Sequence, residues 1–302
     1  MQAVLCTHFC KPEELELTDI PKPQAGPGEV LVRVIPFSPA AEFAGIVERI
    51  GDGVADITAG DRVMGWMGWG AAREYVAAEP QQLVKIPENL DFERAAGLSV
   101  TYGTSLYALR ERAQLKHGET LAVLGASGGV GLAAVELGKL MGARVIACAS
   151  SDEKLKFTRE HGADETVNYD SENLRDTLRR LGGEHGIDVI YDPVGGPYAE
   201  PAVRSMAWKG RYLVVGFTAG EIPKLPLNLV LLRGCDIRGV FWGSWGKREP
   251  QALRASLSDI AKWCAAGKLS GHMHAVYPLK EIAAAMKAIA DRKVMGKIVL
   301  RV

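Results

Sequence analysis

The stretch from Leu121 to Leu155, "LAVLGASGGVGLAAVELGKLMGARVIACASSDEKL", constrains the fold more than any other part of the chain. "TLAVLG" is apolar throughout and predicts a buried strand. "GLAAVELGKLMG" predicts a helix ended by Gly142. Between them Gly125, Gly128, Gly129 and Gly131 crowd into one turn. A strand–glycine turn–helix order suits a dinucleotide. One glycine permits the tight turn, another lets backbone N–H groups approach a pyrophosphate, and a third lets helix and strand pack closely. The pyrophosphate then lies at a helix N-terminus, where unpaired N–H groups and the helix dipole favour negative charge. Ala126 takes the place of the first glycine of the usual G-x-G-x-x-G.

The same rhythm continues downstream. "RVIACAS", "ETVNY", "IDVIYDPVGG" and "RYLVVGF" read as strands. "DEKLKFTREHG", "SENLRDTLRRLGG" and "YAEPAVRSMAW" read as helices between them. Apolar strands alternating with helices predict βαβ units and a doubly wound parallel sheet, the Rossmann arrangement. The first hundred residues differ. Short apolar segments ("EVLVRV", "FAGIVERIG", "DRVMGW", "EYVAAEP") are broken by Gly and Pro, which predicts a mostly-β module. "LDFERAAGLSVTYGTSLYALRERA" reads as a helical lead into the α/β region. After about Phe241 an amphipathic helix, "REPQALRASLSDIAKWCAAGKL", precedes a strand, a helix and a final strand.

At the end of the second strand of such a fold an NAD site places an Asp or Glu on the ribose hydroxyls. Here that position is about Ala149, followed by Ser150 and Ser151. A carboxylate would repel a 2′-phosphate, whereas small residues leave room for one. Ser150 and Ser151 can donate hydrogen bonds, and Lys154 supplies a charge one helical turn on. NADPH is therefore the expected cofactor. The bland alternative makes "SSDEK" a serine cap on a solvated helix. Ser151-x-x-Lys154 also matches a serine-nucleophile pattern, but its companion motifs are absent.

Composition excludes several classes. Lys plus Arg and Asp plus Glu balance at 36 each, so nothing points to nucleic acid. No apolar run reaches the length of a membrane span, and "MQAVLCTHFCKPEEL" lacks the basic and apolar segments of a signal peptide; a cytoplasmic location is expected. The five cysteines, Cys6, Cys10, Cys148, Cys235 and Cys264, are scattered and odd in number, as for reduced thiols. Cys6 and Cys10 lack a second pair to complete a zinc site, and His272 and His274 lack a third ligand, so no metal is expected. No Tyr-x-x-x-Lys pattern occurs.

The segments "GPGEVLVRV", "AEFAGIVERIG", "GDRVMG", "VTYGTSLYAL", "LGASGGVGLAAVELGK", "HGADETVNY", "GIDVIYDPVGG", "RYLVVGF", "GVFWGSW" and "MGKIVLRV" together cover nearly the whole chain. In them the chain resembles the zinc-free, zeta-crystallin-like NADPH:quinone oxidoreductases of the medium-chain dehydrogenase/reductase superfamily. The resemblance implies a GroES-like catalytic domain from residues 1–100 and 243–302, a Rossmann NADPH-binding domain from 101–242, and a homodimer. It also implies cofactor contacts. Ser127, Gly128, Gly129, Val130 and Gly131 form the glycine turn. Ser150, Lys154 and Tyr169 match the 2′-phosphate and adenosine end, with Arg292 reaching the same phosphate from the C-terminal segment. Thr104, Gly216 and Phe217 match the nicotinamide and pyrophosphate side, and Phe241 and Trp242 lie near the nicotinamide. For Phe241 and Trp242, ordinary core packing is an equal alternative.

One departure stands out. In the family a longer segment, which lines the substrate pocket, separates a stretch like "VLVRV" from one like "PFSPAAEFAG". Here Val34 and Ile35 run straight into Pro36. Either the protein lacks the segment, or a mobile stretch has been passed over and the numbering has closed across it; the second is the expectation. Ala40 also stands where relatives have glycine. The chemistry implied is hydride transfer from NADPH to an acceptor already activated by conjugation. A quinone comes first and an enone or alkenal second; a cofactor-binding protein with little catalysis is the alternative of another class. No side chain identifies itself as proton donor. Tyr102 is a candidate only by its place beside the nicotinamide-side segment, and its packing role is the simpler reading.

Overall fold

The computed structural model describes residues 1–8, 10–38 and 41–302. Ala40, where relatives carry glycine, lies outside the described residues. The chain divides into two compact units, Met1–Gly103 with Trp245–Val302, and Thr104–Ser244.

The first unit begins with a two-stranded antiparallel pair, β1 (Gln2–Leu5) and β2 (Glu16–Asp19). β3 (Val30–Ser38), β4 (Glu42–Ile50), β5 (Arg62–Trp66), β6 (Tyr75–Ala78) and β7 (Leu83–Lys85) follow. Two short helices come next, α1 (Phe92–Ala96) and α2 (Thr101–Leu106); the latter runs into a wider π-helical segment over Tyr107–Ala113. The apolar alternation of these strands buries Val30, Val32, Val34, Phe37, Phe43, Val47 and Val63 in one core.

β3 carries the junction between Ile35 and Pro36, where the resemblance implies a longer segment. The chain is continuous through the junction. Val34 pairs with Gly45 and Phe37 with Phe43, so three steps along β3 oppose two along β4. That is a β-bulge, and it absorbs one extra residue. Pro36, which has no N–H to donate, sits within it, as proline in a sheet must. The Ile35 carbonyl accepts from the Val302 N–H (3.1 Å), and Phe37 pairs with Leu300, so the C-terminal strand closes over the junction.

The second unit is a six-stranded parallel sheet in the order β10-β9-β8-β11-β12-β13. Its elements alternate: β8 (Thr120–Leu124), α3 (Gly129–Leu140), β9 (Arg144–Ala149), α4 (Asp152–Glu160), β10 (Glu165–Asn168) and α5 (Leu174–Gly182). Then come β11 (Ile187–Asp192), α6 (Ala199–Val203), β12 (Met206–Val214), α7 (Leu227–Arg233) and β13 (Asp236–Gly239). The helix predicted over "YAEPAVRSMAW" stops at Val203, and β12 already begins at Met206. β13 and α7 had no signal in the sequence reading. The core holds Ala122, Leu124, Ile146, Cys148, Val167, Leu178 and Ile190. The chain then returns through α8 (Trp242–Arg248), α9 (Pro250–Ala265), β14 (Met273–Pro278), α10 (Ile282–Ala290) and β15 (Lys297–Arg301). β14 and β15 complete the first unit's seven-stranded sheet.

A buried ion pair ties the ends of the first unit together. Lys297 Nζ donates to Glu42 Oε1 (2.5 Å), while Glu42 Oε2 accepts the Val100 N–H (2.6 Å). Both acceptor oxygens of a nearly fully buried carboxylate are thus used, as burial of a charge requires. Among the described residues no helix is long and apolar enough to cross a membrane.

In the second unit Lys139, at the end of α3, bonds both oxygens of Asp164 (2.7 and 2.8 Å), and Asp164 also accepts the Val145 N–H (2.7 Å). Burial pushes the Asp164 carboxyl up, but Lys139 and the Val145 amide outweigh it and hold the group below the ordinary value of 3.8. A carboxyl lowered in the folded state stabilises above its unfolded pKa, and that stability is lost as pH falls through the folded value. Asp164→Asn should therefore lower Tm by about 2 °C at pH 7, discounted for solvent screening. The difference from wild type should shrink below about pH 4. Calorimetric melts across pH check this.

Candidate functional site

Parallel strands in one sheet share one carboxyl end, and each βα turn of the second unit opens there. The predicted residues of this unit that follow a strand all lie at that end. The glycine turn follows β8, Ser150 follows β9 and Tyr169 follows β10. Gly216 and Phe217 follow β12, and Phe241 follows β13. Strand order reverses between β8 and β11, which are neighbours. In open α/β sheets this switch point is where ligands bind.

The glycine turn is built by close backbone contact. A Cβ at Gly131 would lie 2.2 Å from the Gly125 carbonyl oxygen and 2.8 Å from Ala126 Cα, so only glycine fits. Gly125 itself has φ +58°, and a Cβ there would meet Val194 Cγ2 at 2.8 Å. The Gly128 N–H bonds the Gly125 carbonyl (3.0 Å), and Gly128 starts α3 by accepting from the Leu132 N–H (2.8 Å). Ser127 is buried, and Gly128, Gly129 and Val130 are partly exposed. The first turn of α3 therefore offers its amides at the sheet end, which favours an anion. Ser105 fixes this turn from the side. Its hydroxyl donates to the Val130 carbonyl (2.8 Å) and shares a hydrogen bond with the Tyr191 hydroxyl (2.8 Å). Burial pushes the Tyr191 phenol well up, so it stays neutral. Thr104, next to Ser105, is half-buried on α2.

At the end of β9, Ala149 is buried and carries no charge. Ser151 caps α4 by accepting the Lys154 N–H (3.4 Å), so the capping reading holds for that serine. Ser150 has a different role: Lys154 Nζ donates to its hydroxyl (3.1 Å). Among the described residues Lys154 makes no ion pair, so its charge is held beside a neutral hydroxyl. The neighbouring acid, Asp152, is engaged by Asn168 Nδ2 (2.8 Å). The Tyr169 N–H bonds the Ala149 carbonyl (3.1 Å), which sets Tyr169 beside this corner. Its ring packs on Tyr198, with centroids 4.4 Å apart.

Gly216 lies against the Pro193 carbonyl, where a Cβ would approach to 3.2 Å, and Phe217 packs on Gly195. Phe241 is 76% exposed whereas Trp242 is buried, so core packing accounts for Trp242 alone. Arg292 belongs to the other unit, exposed after α10 with φ +57°. Tyr102 is buried on α2, in agreement with its packing role. Sequence reasoning missed Ser105, Tyr191, Asp192 and Tyr212. Their type is ordinary, and only the fold brings them to the turn.

His272 lies just before β14 and His274 is exposed on it. Cys148, Cys235 and Cys264 are buried, while Cys6 and Cys10 lie near the surface with sulfurs 4.0 Å apart. Among the described residues no group of three or more His, Cys, Asp or Glu could hold a metal ion.

Known proteins share this arrangement. Residues 15–88 match the family model of the alcohol dehydrogenase GroES-like domain, and residues 129–259 that of the zinc-binding dehydrogenases. A mouse protein, quinone oxidoreductase-like protein 2, is 34% identical over 99% of this chain and 91% of its own length. That alignment spans 322 positions, more than the 302 residues here, so the mouse protein carries residues with no counterpart in this chain. Human quinone oxidoreductase is 31% identical over 99% of this chain and 97% of its own. A mycobacterial protein solved in complex with NADPH superposes with a TM-score of 0.93 over all of both chains at 25% identity.

The Gly131 contact is directly testable. Gly131→Ala forces a methyl against backbone and should cost about 1–3 kcal/mol of unfolding free energy. Gly128→Ala, where a Cβ would lie 3.5 Å from the Gly125 carbonyl oxygen, should cost less than about 1 kcal/mol. Denaturant titration of both variants distinguishes these outcomes.

Proposed function

The chain belongs to the quinone oxidoreductase family of the medium-chain dehydrogenase/reductase superfamily, and from that premise we propose that it transfers hydride from NADPH to a quinone without a metal ion. The observation that carries the cofactor choice is the β9 corner. A buried alanine occupies the acidic position of NAD sites, and a lysine that makes no ion pair among the described residues stands beside Ser150. The NADPH complex of the mycobacterial neighbour supports the same choice.

The residues present fit the dinucleotide. Gly131 lets the first turn of α3 pack directly on the Gly125–Ala126 backbone, and the amides and dipole of that turn would hold the pyrophosphate. Ser150 and Lys154 would bind the 2′-phosphate with charge-assisted hydrogen bonds, and Tyr169 would flank the adenosine. Thr104, Gly216, Phe217 and Phe241 would orient the nicotinamide half. When bound, NADPH supplies the hydride. The chain contributes orientation and an apolar surround that excludes competing reactions. A quinone is already electron-poor through conjugation, so it needs no Lewis acid, and the quinol oxygens can take their protons from water.

The proposal includes a homodimer. β13 ends the parallel sheet and has no strand on its outer edge among the described residues. Ile237 on β13 itself is exposed, as are Leu231 and Leu232 of α7, at 78% and 73%. An open strand edge rimmed by large apolar side chains invites pairing with a second copy.

Three measurements test this reading. With NADPH and a panel of quinones and enones, absorbance of the reduced nicotinamide should fall fastest with quinones. Faster turnover of enones would favour double-bond reduction, and tight NADPH binding with no turnover would favour a non-catalytic role. Lys154→Glu should weaken NADPH by at least the about 1.5–3 kcal/mol of a charge-assisted contact while leaving NADH little changed; equal effects would remove Lys154 from the 2′-phosphate. Ile237→Lys should shift the sedimentation coefficient from dimer to monomer, and an unchanged wild-type monomer would contradict the dimer.

A further inference from the structure

The turn after β11 holds a buried carboxylate that the reading above does not use. Asp192 and Tyr212 are each 2% exposed. Asp192 Oδ1 accepts the N–H groups of Val194 (2.7 Å) and Gly195 (2.8 Å), and Oδ2 accepts the Tyr212 hydroxyl. Burial pushes the carboxyl up from its ordinary value, against these three donors. A buried carboxylate is costly, and the donors around it are what make it tolerable.

What it holds is the segment Pro193–Gly196, and that segment is laced on both sides. The Asp192 carbonyl accepts from Val215 (2.9 Å) and Gly216 (3.3 Å). The Pro193 carbonyl accepts from the Thr218 N–H (3.1 Å), and the Val194 carbonyl from Ala219 (3.0 Å). On one flank Val194 Cγ2 fills the space against Gly125 of the glycine turn. On the other Gly195 and the Pro193 carbonyl receive Phe217 and Gly216. The turn is thus a wedge between the two loops assigned to the pyrophosphate and nicotinamide side, and among the described residues the charged group that anchors it is Asp192.

Resting on the NADPH reading, we propose that Asp192, seated by Tyr212, is a positioning residue that sets the 193–196 turn and through it the spacing between the glycine turn and Gly216–Phe217, so that its loss weakens dinucleotide binding without altering the hydride step. It touches no reacting atom in this role; it works through Val194, Gly195 and the backbone they carry.

The test uses the full chain and NADPH fluorescence titration together with amide hydrogen exchange. Asp192→Ala leaves two amides and a phenol without their acceptor; it should raise the Kd of NADPH about thirtyfold. Exchange at Val194 and Gly195 should quicken about tenfold, while kcat at saturating NADPH stays within about threefold. Asp192→Asn keeps an acceptor for both amides in the same shape, so its Kd should stay within about threefold of wild type, the rescue expected of position rather than charge. An Asp192→Ala protein with native circular dichroism and unchanged Kd or unchanged exchange overturns the proposal, as does an Asp192→Asn protein as impaired as Asp192→Ala. Should Asp192→Ala fail to fold, Tyr212→Phe decides: a Kd raised about threefold with faster exchange supports the latch, and unchanged values overturn it. Wild-type protein that binds no NADPH would strike the cofactor reading instead, whereas wild-type-like binding by the variants strikes the latch alone.

Discussion

The first turn of α3 can approach the turn before it only because residue 131 has no side chain. A methyl there would sit 2.2 Å from the Gly125 carbonyl oxygen, well inside contact distance. The cofactor site proposed for the second unit depends on that approach. It aims unpaired amides along the sheet end, and the helix dipole adds to them. The neighbouring turns are then fitted to it: Val194 against Gly125, Ser105 against Val130, and Gly216 against Pro193. Helix–strand packing and the proposed anion site thus rest on the same contact.

A second constraint is electrostatic. At the β9 corner a cation and a hydroxyl follow a buried alanine where an NAD site carries its acid, and Asp152 is engaged by Asn168. A lysine already held by Ser150 would lose less side-chain freedom on meeting the proposed 2′-phosphate. In the proposed complex the two constraints would address different ends of one ligand. They stand on residues that follow adjacent strands, β8 and β9, whose spacing the parallel ladder sets.

Much of this was legible in the sequence because it rests on periodicity and punctuation. Buried parallel strands are apolar along their whole length, and glycines mark the turns, so β8 to β12 and the glycine turn could be read directly. β13 and α7 were missed for the same reason. β13 is an exposed edge strand reading Asp-Ile-Arg-Gly, and α7 shows three exposed leucines, so neither carries the expected pattern. Ser105, Asp192 and Tyr212 were invisible because no spacing rule links residues 105, 192 and 212; only the sheet brings their neighbourhoods together. At the junction Val34–Pro36, where the resemblance implies a longer segment, β3 is bulged and pairs with the C-terminal strand.

The account stands on a 2′-phosphate being recognised at the β9 corner. Isothermal titration of the wild-type protein with NADPH and with NADH, side by side, measures that most directly. A charge-assisted contact with Lys154 predicts NADPH binding tighter by about tenfold to a hundredfold. Equal affinities, or preference for NADH, would contradict it.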